Sequence, residues 1–244
     1  MVAASVVYAD ERIVAVNKPA GVSLATRRRE PGAAVDRLLA ALPATERDLH
    51  GLAAEMLHLV HRLDVGTSGL VLLAHDEEAH RELVAAFVAR RVAKTYLALA
   101  WGHPRPPSGT WEWPLGPDRR DRRRMRVDPD GRHAASAYSV VGRAPHLALV
   151  RLEPHTGRTH QLRVHLAYAG HPIVGDDLYG GPRHHGVRDQ RLRALLDLGR
   201  PLLHAWRLHL PPTAASPELI LHAPLPLDFT KTLTALGIAV PIPD

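Results

Sequence analysis

Apolar residues first gather in two short runs, Val6-Val7-Tyr8 and Ile13-Val14-Ala15-Val16, split by the polar turn Asp10-Glu11-Arg12. β-Branched and aromatic runs bounded by turn residues predict two strands. Lys18-Pro19-Ala20-Gly21 then reads as a turn, its proline presetting φ at the second position. Between Pro31 and Pro43, residues Val35, Leu38, Leu39 and Leu42 recur at helical spacing. The solid run Leu70-Val71-Leu72-Leu73 predicts a strand buried on both faces. After it, Asp76 is placed to cap a helix over Glu77–Arg90, with Leu83 and Phe87 four apart on one face and acids in the first turn.

Thr95–Trp101 predicts a further strand, broken by Pro104-Arg105-Pro106-Pro107. A loop rich in Pro, Gly and Arg is expected from there to about His133. Ala134–Val141 and Leu147–Leu152 read as strands, and His160–Ala169 as a helix stopped by Gly170 with Pro172 beyond. His204–Leu210 and Leu219–Ala223 predict a last strand pair, and Thr230–Leu236 a short helix. The elements do not alternate as βαβ units. They predict an α+β fold: a mixed, mostly antiparallel sheet flanked by helices and loops. With no repeat and no long linker, a single domain over residues 1–244 is expected.

Composition narrows the setting. The chain is 45% hydrophobic and 23% charged, an ordinary globular balance. No apolar run approaches the roughly 18 to 20 residues that span a bilayer. The opening MVAASVVYADERIVAV has no basic leader, so no signal peptide is expected. With no cysteine there are no disulfides or thiolate metal sites, and a cytoplasmic protein is expected. A net charge of +6 and a pI near 10.1 favour a polyanionic partner, most simply nucleic acid. Only Lys18, Lys94 and Lys231 are lysines among 31 basic residues, so arginine-rich coding is a competing explanation of the charge.

Two stretches concentrate chemistry. In HRLDVGTSGL, residues 61–70, an extended backbone points Arg62 and Asp64 one way and His61 and Leu63 the other. If Leu63 anchors the core, a guanidinium and a lone carboxylate face a cleft, and Gly66 and Gly69 permit a sharp turn behind them. The plainer alternative is a surface Arg–Asp pair at a strand start. In residues 153–180, Thr156 or Thr159 is placed to cap the helix, whose apolar face is Leu162, Leu166 and Ala169. Arg158 and Arg163 lie off that face near the positive end of the helix dipole, and so need a phosphate or carboxylate partner, unless they are simply solvated. The seventeen histidines suggest no metal site. His160 and His165 stand about 140° apart around a helix, no HExxH occurs, and His58 and His61 have no acidic cluster nearby. Walker, GxGxxG and GxSxG motifs are absent too, so nucleotide-cofactor and hydrolase readings get little support.

HRLDVGTSGLVLLA, AKTYLALAWG and TGRTHQLRVHLAYAGHPIVGDDLYG, in this order, together with VNKPAGV near the start, resemble the RluA family of pseudouridine synthases. The likeness runs from about Tyr8 to Phe229. It implies an isomerase that converts uridine to pseudouridine in structured RNA, ribosomal or transfer, with no metal and no organic cofactor. By the same resemblance Asp64 is catalytic, Arg62 helps take the target base out of its helix, Tyr96 packs on the uracil, and Arg163 pairs with the catalytic carboxylate. Two departures stand out. Ser23 and the run Arg27-Arg28-Arg29 follow NKPAG where relatives often carry a histidine, and the region from Pro104 to His133 fits no family motif. The resemblance leads to the expectation of a catalytic domain at the start of the chain, without the small RNA-binding domain many relatives carry in front.

The chemistry of the residues agrees. Moving uracil from an N- to a C-glycosidic bond needs one ionised carboxylate, acting as nucleophile at sugar or base or removing a sugar proton. An arginine counter-ion in a partly dry cleft keeps such a group ionised, and the base must leave the stack to be reached. Tyr96 alternates with Leu97, so stacking is its simplest role; a phenol titrating near about 10 needs help to act as a base. Arg119–Arg126, RRDRRRMR, sets six arginines against one aspartate and reads as a mobile arm closing over RNA, or else as a solvated charge run. The expected RNA contacts are thus Arg62, His61, Arg158, Arg122, Arg123 and Arg124, and the expected state is a monomer. The rival readings are a catalytically inactive RNA-binding module on the same fold and a metal-dependent nuclease using Asp64 with His58 and His61.

Overall fold

The computed structural model describes residues 3–25, 30, 32–212 and 217–240. The Arg27–Arg29 run lies outside them. In chain order the elements are β1 (Ser5–Ala9), β2 (Ile13–Lys18), α1 (Ala33–Ala40), α2 (Ala44–Leu49), β3 (His58–Leu59), β4 (Ser68–Ala74), α3 (Glu77–Val88), β5 (Ala93–Trp101) and β6 (Ser108–Trp111). There follow β7 (Leu115–Pro117), β8 (Met125–Val127), β9 (Ser136–Ala144), β10 (Leu147–Pro154), α4 (Gln161–Tyr168), α5 (Gln190–Leu196), β11 (Leu203–Leu210), β12 (Leu219–His222) and α6 (Leu227–Ala235). Contacts divide the chain into two units, Met1–Lys94 with Ala205–Pro226 and Thr95–His204 with Leu227–Asp244. Neither unit is one continuous segment, which is why no linker marks them in the sequence. Among the described residues no helix is long and apolar enough to cross a membrane.

In the first unit the strands run β1–β2–β4–β11, with β3 paired to β4 and β12 to β11. β2 and β4 are antiparallel from Ile13 opposite Ala74 to Lys18 opposite Gly69. Every residue of β4 is buried, as a run of aliphatics without polar alternation requires. Leu70 and Leu72 join Ala15, Leu208 and Leu221 in a core that α3 covers with Ala79, Leu83, Ala86 and Phe87. Asp76 caps α3 as expected, its Oδ1 accepting the Ala79 amide at 2.8 Å. The helix stops two residues before the expected Arg90. Arg90 turns left-handed at φ 59°, its N–H bonding Phe87 O and the Arg91 N–H bonding Ala86 O. That paired termination is a Schellman motif. α2 escaped the sequence reading because none of its residues is buried, so it carries no apolar stripe.

In the second unit the order is β5–β10–β9–β6, each neighbour antiparallel. Leu97, Leu99, Leu149 and Leu152 form its interior. The expected loop from Pro104 to His133 instead contains β6 and the β7–β8 hairpin. Strands of three or four residues, interrupted by Pro, Gly and Arg, are too short to show a period of two. The hairpin has a small core of its own, with Leu115, Met125 and Val127 packed on Val164 of α4, Ala134 and Tyr179. Near the chain's end, Arg200 forks onto Asp228 at 2.7 and 2.6 Å, and α6 begins at Leu227, three residues before the expected start. The α+β architecture expected from the sequence, an antiparallel-rich sheet flanked by helices, is the one that forms.

Candidate functional site

The segment from His61 to Gly69 is a rigid hook. Leu63 is buried, Arg62 exposed and Asp64 half-buried, the alternation an extended approach imposes. The Thr67 amide donates to the Asp64 carbonyl at 3.0 Å and closes the turn. Gly69 takes φ +112°, where a Cβ would sit 2.2 Å from the Ala205 carbonyl oxygen, so no larger residue fits behind the hook. From below, the fully buried Lys18 ammonium donates to the carbonyls of Pro19 (2.8 Å), Val22 (3.1 Å) and Val65 (3.4 Å). The Gly21 amide also reaches Val65 O, at 2.7 Å. The NKPAG turn is therefore the clamp that holds the Asp64 turn. Sequence reasoning took Lys18 only as a turn residue. The available signal was its identity: a lysine kept in an arginine-dominated chain marks a place needing three divergent donors on a compact head.

His61 does different work from the RNA contact expected of it. Its Nε2 accepts the Leu72 amide at 3.2 Å, and its ring stacks on Phe87 with centroids 4.6 Å apart. Burial, reinforced by the charge of Lys94, depresses its pKa to about 3, so the ring is neutral and committed to β4. Beside the hook a groove of about 580 Å³ is lined by His58, His61, Arg62, His80, Glu55 and Val35 among others. Its histidines do not assemble the site that a metal nuclease would need. His58 and His80 pack ring on ring, His80 Nε2 bonds the Leu59 carbonyl, and among the described residues no three acidic or imidazole groups are arranged to hold a metal ion.

In the second unit Tyr96 is half-buried near the start of β5, between the buried Thr95 and Leu97. From Leu97 to Ala100 the strand is covered on both faces, so Tyr96 stands where exposure ends. Arg163 is buried on α4 and has a carboxylate partner, as its place near the helix start required. Its Nε and Nη2 donate to Asp176 at 2.7 and 2.8 Å. The fork engages two of the five guanidinium N–H groups and anchors the side chain. Asp176 is fixed by its own turn: its carbonyl accepts the Tyr179 and Gly180 amides, and Gly175 at φ +74° precedes it where a Cβ would meet the Arg200 carbonyl. The cap of α4 differs from expectation. His160, left-handed at φ 55°, stands at the N-cap without capping the helix by its side chain, while Thr156 is buried and donates to Gln161 Oε1 at 2.7 Å. Arg158 reaches the His133 carbonyl with Nε at 3.0 Å.

The arginine run occupies the tip and second strand of the β7–β8 hairpin and is not a free arm. The Asp118 amide donates to Arg124 O and the Arg124 amide to Asp121 O, both at 2.9 Å. Arg123 forks onto Asp121, and this bond first of all lowers that carboxyl to about 2. Arg124 turns back over the Tyr179 ring, 5.3 Å from its centroid. Arg119, Arg120 and Arg122 are the members of the run left exposed without such a use.

The known proteins that this chain matches agree with the motifs. The RNA pseudouridylate synthase family profile matches residues 12–168. An uncharacterized RNA pseudouridine synthase of Chloroflexus aurantiacus is 41% identical over 90% of this chain and 65% of its own length. Ribosomal large subunit pseudouridine synthase D of Pseudomonas aeruginosa is 36% identical over 95% of this chain and 71% of its own. Among solved structures, human RNA pseudouridylate synthase domain containing 4 superposes with a TM-score of 0.75 at 29% identity, covering 98% of this chain and 95% of that one. A buried-strand hook bearing a carboxylate, followed by an anchored arginine, sits within a sequence that belongs to the RNA pseudouridylate synthase family.

Proposed function

We propose that this protein isomerises uridine to pseudouridine in structured RNA, ribosomal or transfer, as a cytoplasmic monomer that uses Asp64 as its catalytic carboxylate. The observation that carries the reading is the hook itself. Asp64 sits on a turn fixed by Thr67, by Lys18 under Val65 and by a fully buried strand, the rigidity a single reacting group needs. The carboxylate attacks sugar or base, or removes a sugar proton; the freed uracil rotates and rejoins through carbon. Exposed Arg62 fills the gap left by the flipped nucleotide, and Tyr96 stacks on the uracil. Arg163, anchored by Asp176, serves in this reading as the cation that keeps Asp64 ionised. The relatives named for the large ribosomal subunit make ribosomal RNA the first substrate to try. Release of tritium from 5-labelled uridine in ribosomal and transfer RNA, with Asp64→Asn as control, tests the proposal. Tight RNA binding without release by the parent protein would instead support the inactive binding module.

A further inference from the structure

One side chain of the second unit touches both the basic hairpin and Arg163. The Tyr179 ring lies 4.9 Å from the Arg163 guanidinium carbon and 5.3 Å from that of Arg124. Its hydroxyl accepts the Met125 amide at 2.8 Å and lies 2.8 Å from His160 Nδ1. The hydroxyl thus takes part in two hydrogen bonds at once, and the direction of the one to His160 Nδ1 follows that ring's tautomer. Burial raises the phenol's pKa, so the proton stays in place through the neutral range. Four features therefore meet at one ring: the second strand of the hairpin through Met125, its tip through Arg124, the strained left-handed start of α4 through His160, and the Arg163–Asp176 pair.

We propose that Tyr179 is a positioning residue that couples docking of the β7–β8 hairpin on RNA phosphates to the orientation of Arg163. The mechanism needs no large movement. A phosphate bound by the arginines at the tip holds Arg124 against the ring that it shares with Arg163, so docking at the tip fixes the two cations together. An enzyme built this way completes its charge arrangement only when RNA lies across the hairpin. A ring that merely filled the small core around Leu115 and Val164 would have no need of two guanidinium groups and two directed hydrogen bonds.

The proposal rests on the reading of Arg163 as the counter-ion of Asp64, and Arg163→Met separates the two. If that variant keeps the parental rate and pH profile, the counter-ion reading fails. If it collapses the rate, Tyr179 can be tested on its own. Tyr179→Leu is expected to lower kcat at saturating RNA about thirtyfold, the size of a lost desolvated cation–π contact, and to move the acid limb of the kcat profile to higher pH. Tyr179→Phe keeps the ring and should restore the limb. Arg124→Met, a partly exposed change that leaves the fold intact, should lower kcat in the same direction, and adding it to Tyr179→Leu should cost little more. Parental kcat and pH profile in Tyr179→Leu, or an effect of Arg124→Met on KM alone, would overturn the coupling. Should Tyr179→Leu not fold, Arg124→Met decides the matter by itself.

Discussion

Arg163 and Asp176 form a two-pronged ion pair at 2.7 and 2.8 Å in which the aspartate side chain is only 1% exposed. Removing one partner of such a pair takes from the other its forked counter-ion in a largely dry setting. Asp176→Asn is therefore expected to destabilise the fold by about 3 to 5 kcal/mol, far more than loss of a surface pair. Urea unfolding checks this; a midpoint within error of the parent's would mean the pair is effectively solvated.

Asp64→Asn is expected to abolish conversion while leaving RNA affinity within about threefold, since the amide keeps the shape of the side chain and loses only its charge and nucleophilicity. Single-turnover assays after mass-spectrometric exclusion of deamidation provide the check. Measurable turnover would remove Asp64 from the reacting position.

Gly69→Ala tests the hook without touching charge. The substitution puts a methyl against the Ala205 carbonyl at a φ that alanine disfavours, and a loss of about 3 kcal/mol or more is expected. Differential scanning calorimetry should show a lower Tm and a smaller active fraction.

His61 gives the fold a pH dependence. Its folded pKa, about 3, lies below the unfolded value of 6.5, so below 6.5 the unfolded chain takes up a proton that the folded one does not. Stability contributed by the neutral ring is thus complete above about pH 6.5 and declines as pH falls toward 3, by at most about 1.4 kcal/mol per unit. NMR titration should show no His61 protonation at pH 5. A His61 resonance titrating near 6 would contradict the stacked, amide-bonded ring.

Within the hairpin, Arg120 and Arg122 are the exposed members to test for phosphate contact, because Arg123 and Arg124 already have partners in Asp121 and Tyr179. Replacing both with serine should flatten the slope of log affinity against log salt by roughly 1.5, at about 0.7 to 0.9 per contact. An unchanged slope would make the exposed arginines solvated surface.

Much of this was legible in the chain. Leu70–Leu73 announced a buried strand because unbroken aliphatics have no other stable place, and HRLD announced the hook because Leu63 had to face inward. The resemblance implied a pairing of Arg163 with Asp64, while its forked bond to Asp176 was not anticipated, since that contact depends on where a distant turn lands. Lys18 and Tyr179 were hidden for a related reason: what links them to the site, the Val65 carbonyl for one and the Arg124 and Arg163 guanidinium groups for the other, is supplied from elsewhere along the chain. The hairpin was missed because its strands are stabilised by packing on α4 and Tyr179, not by any periodicity of their own.

The close approach of Gly69 to Ala205 has a consequence in time as well as space. The first unit is opened by residues up to Lys94 and closed only by Ala205–Pro226, so on the ribosome the hook is made long before the strand that backs it. A nascent chain carries HRLD, already supported by β2 and the Lys18 clamp, for more than a hundred residues of synthesis before β11 arrives to back Gly69. Truncation products that end before that strand would carry the residues proposed for catalysis and still lack the Ala205 backing of the hook, a built-in delay between making the proposed reactive group and completing its support.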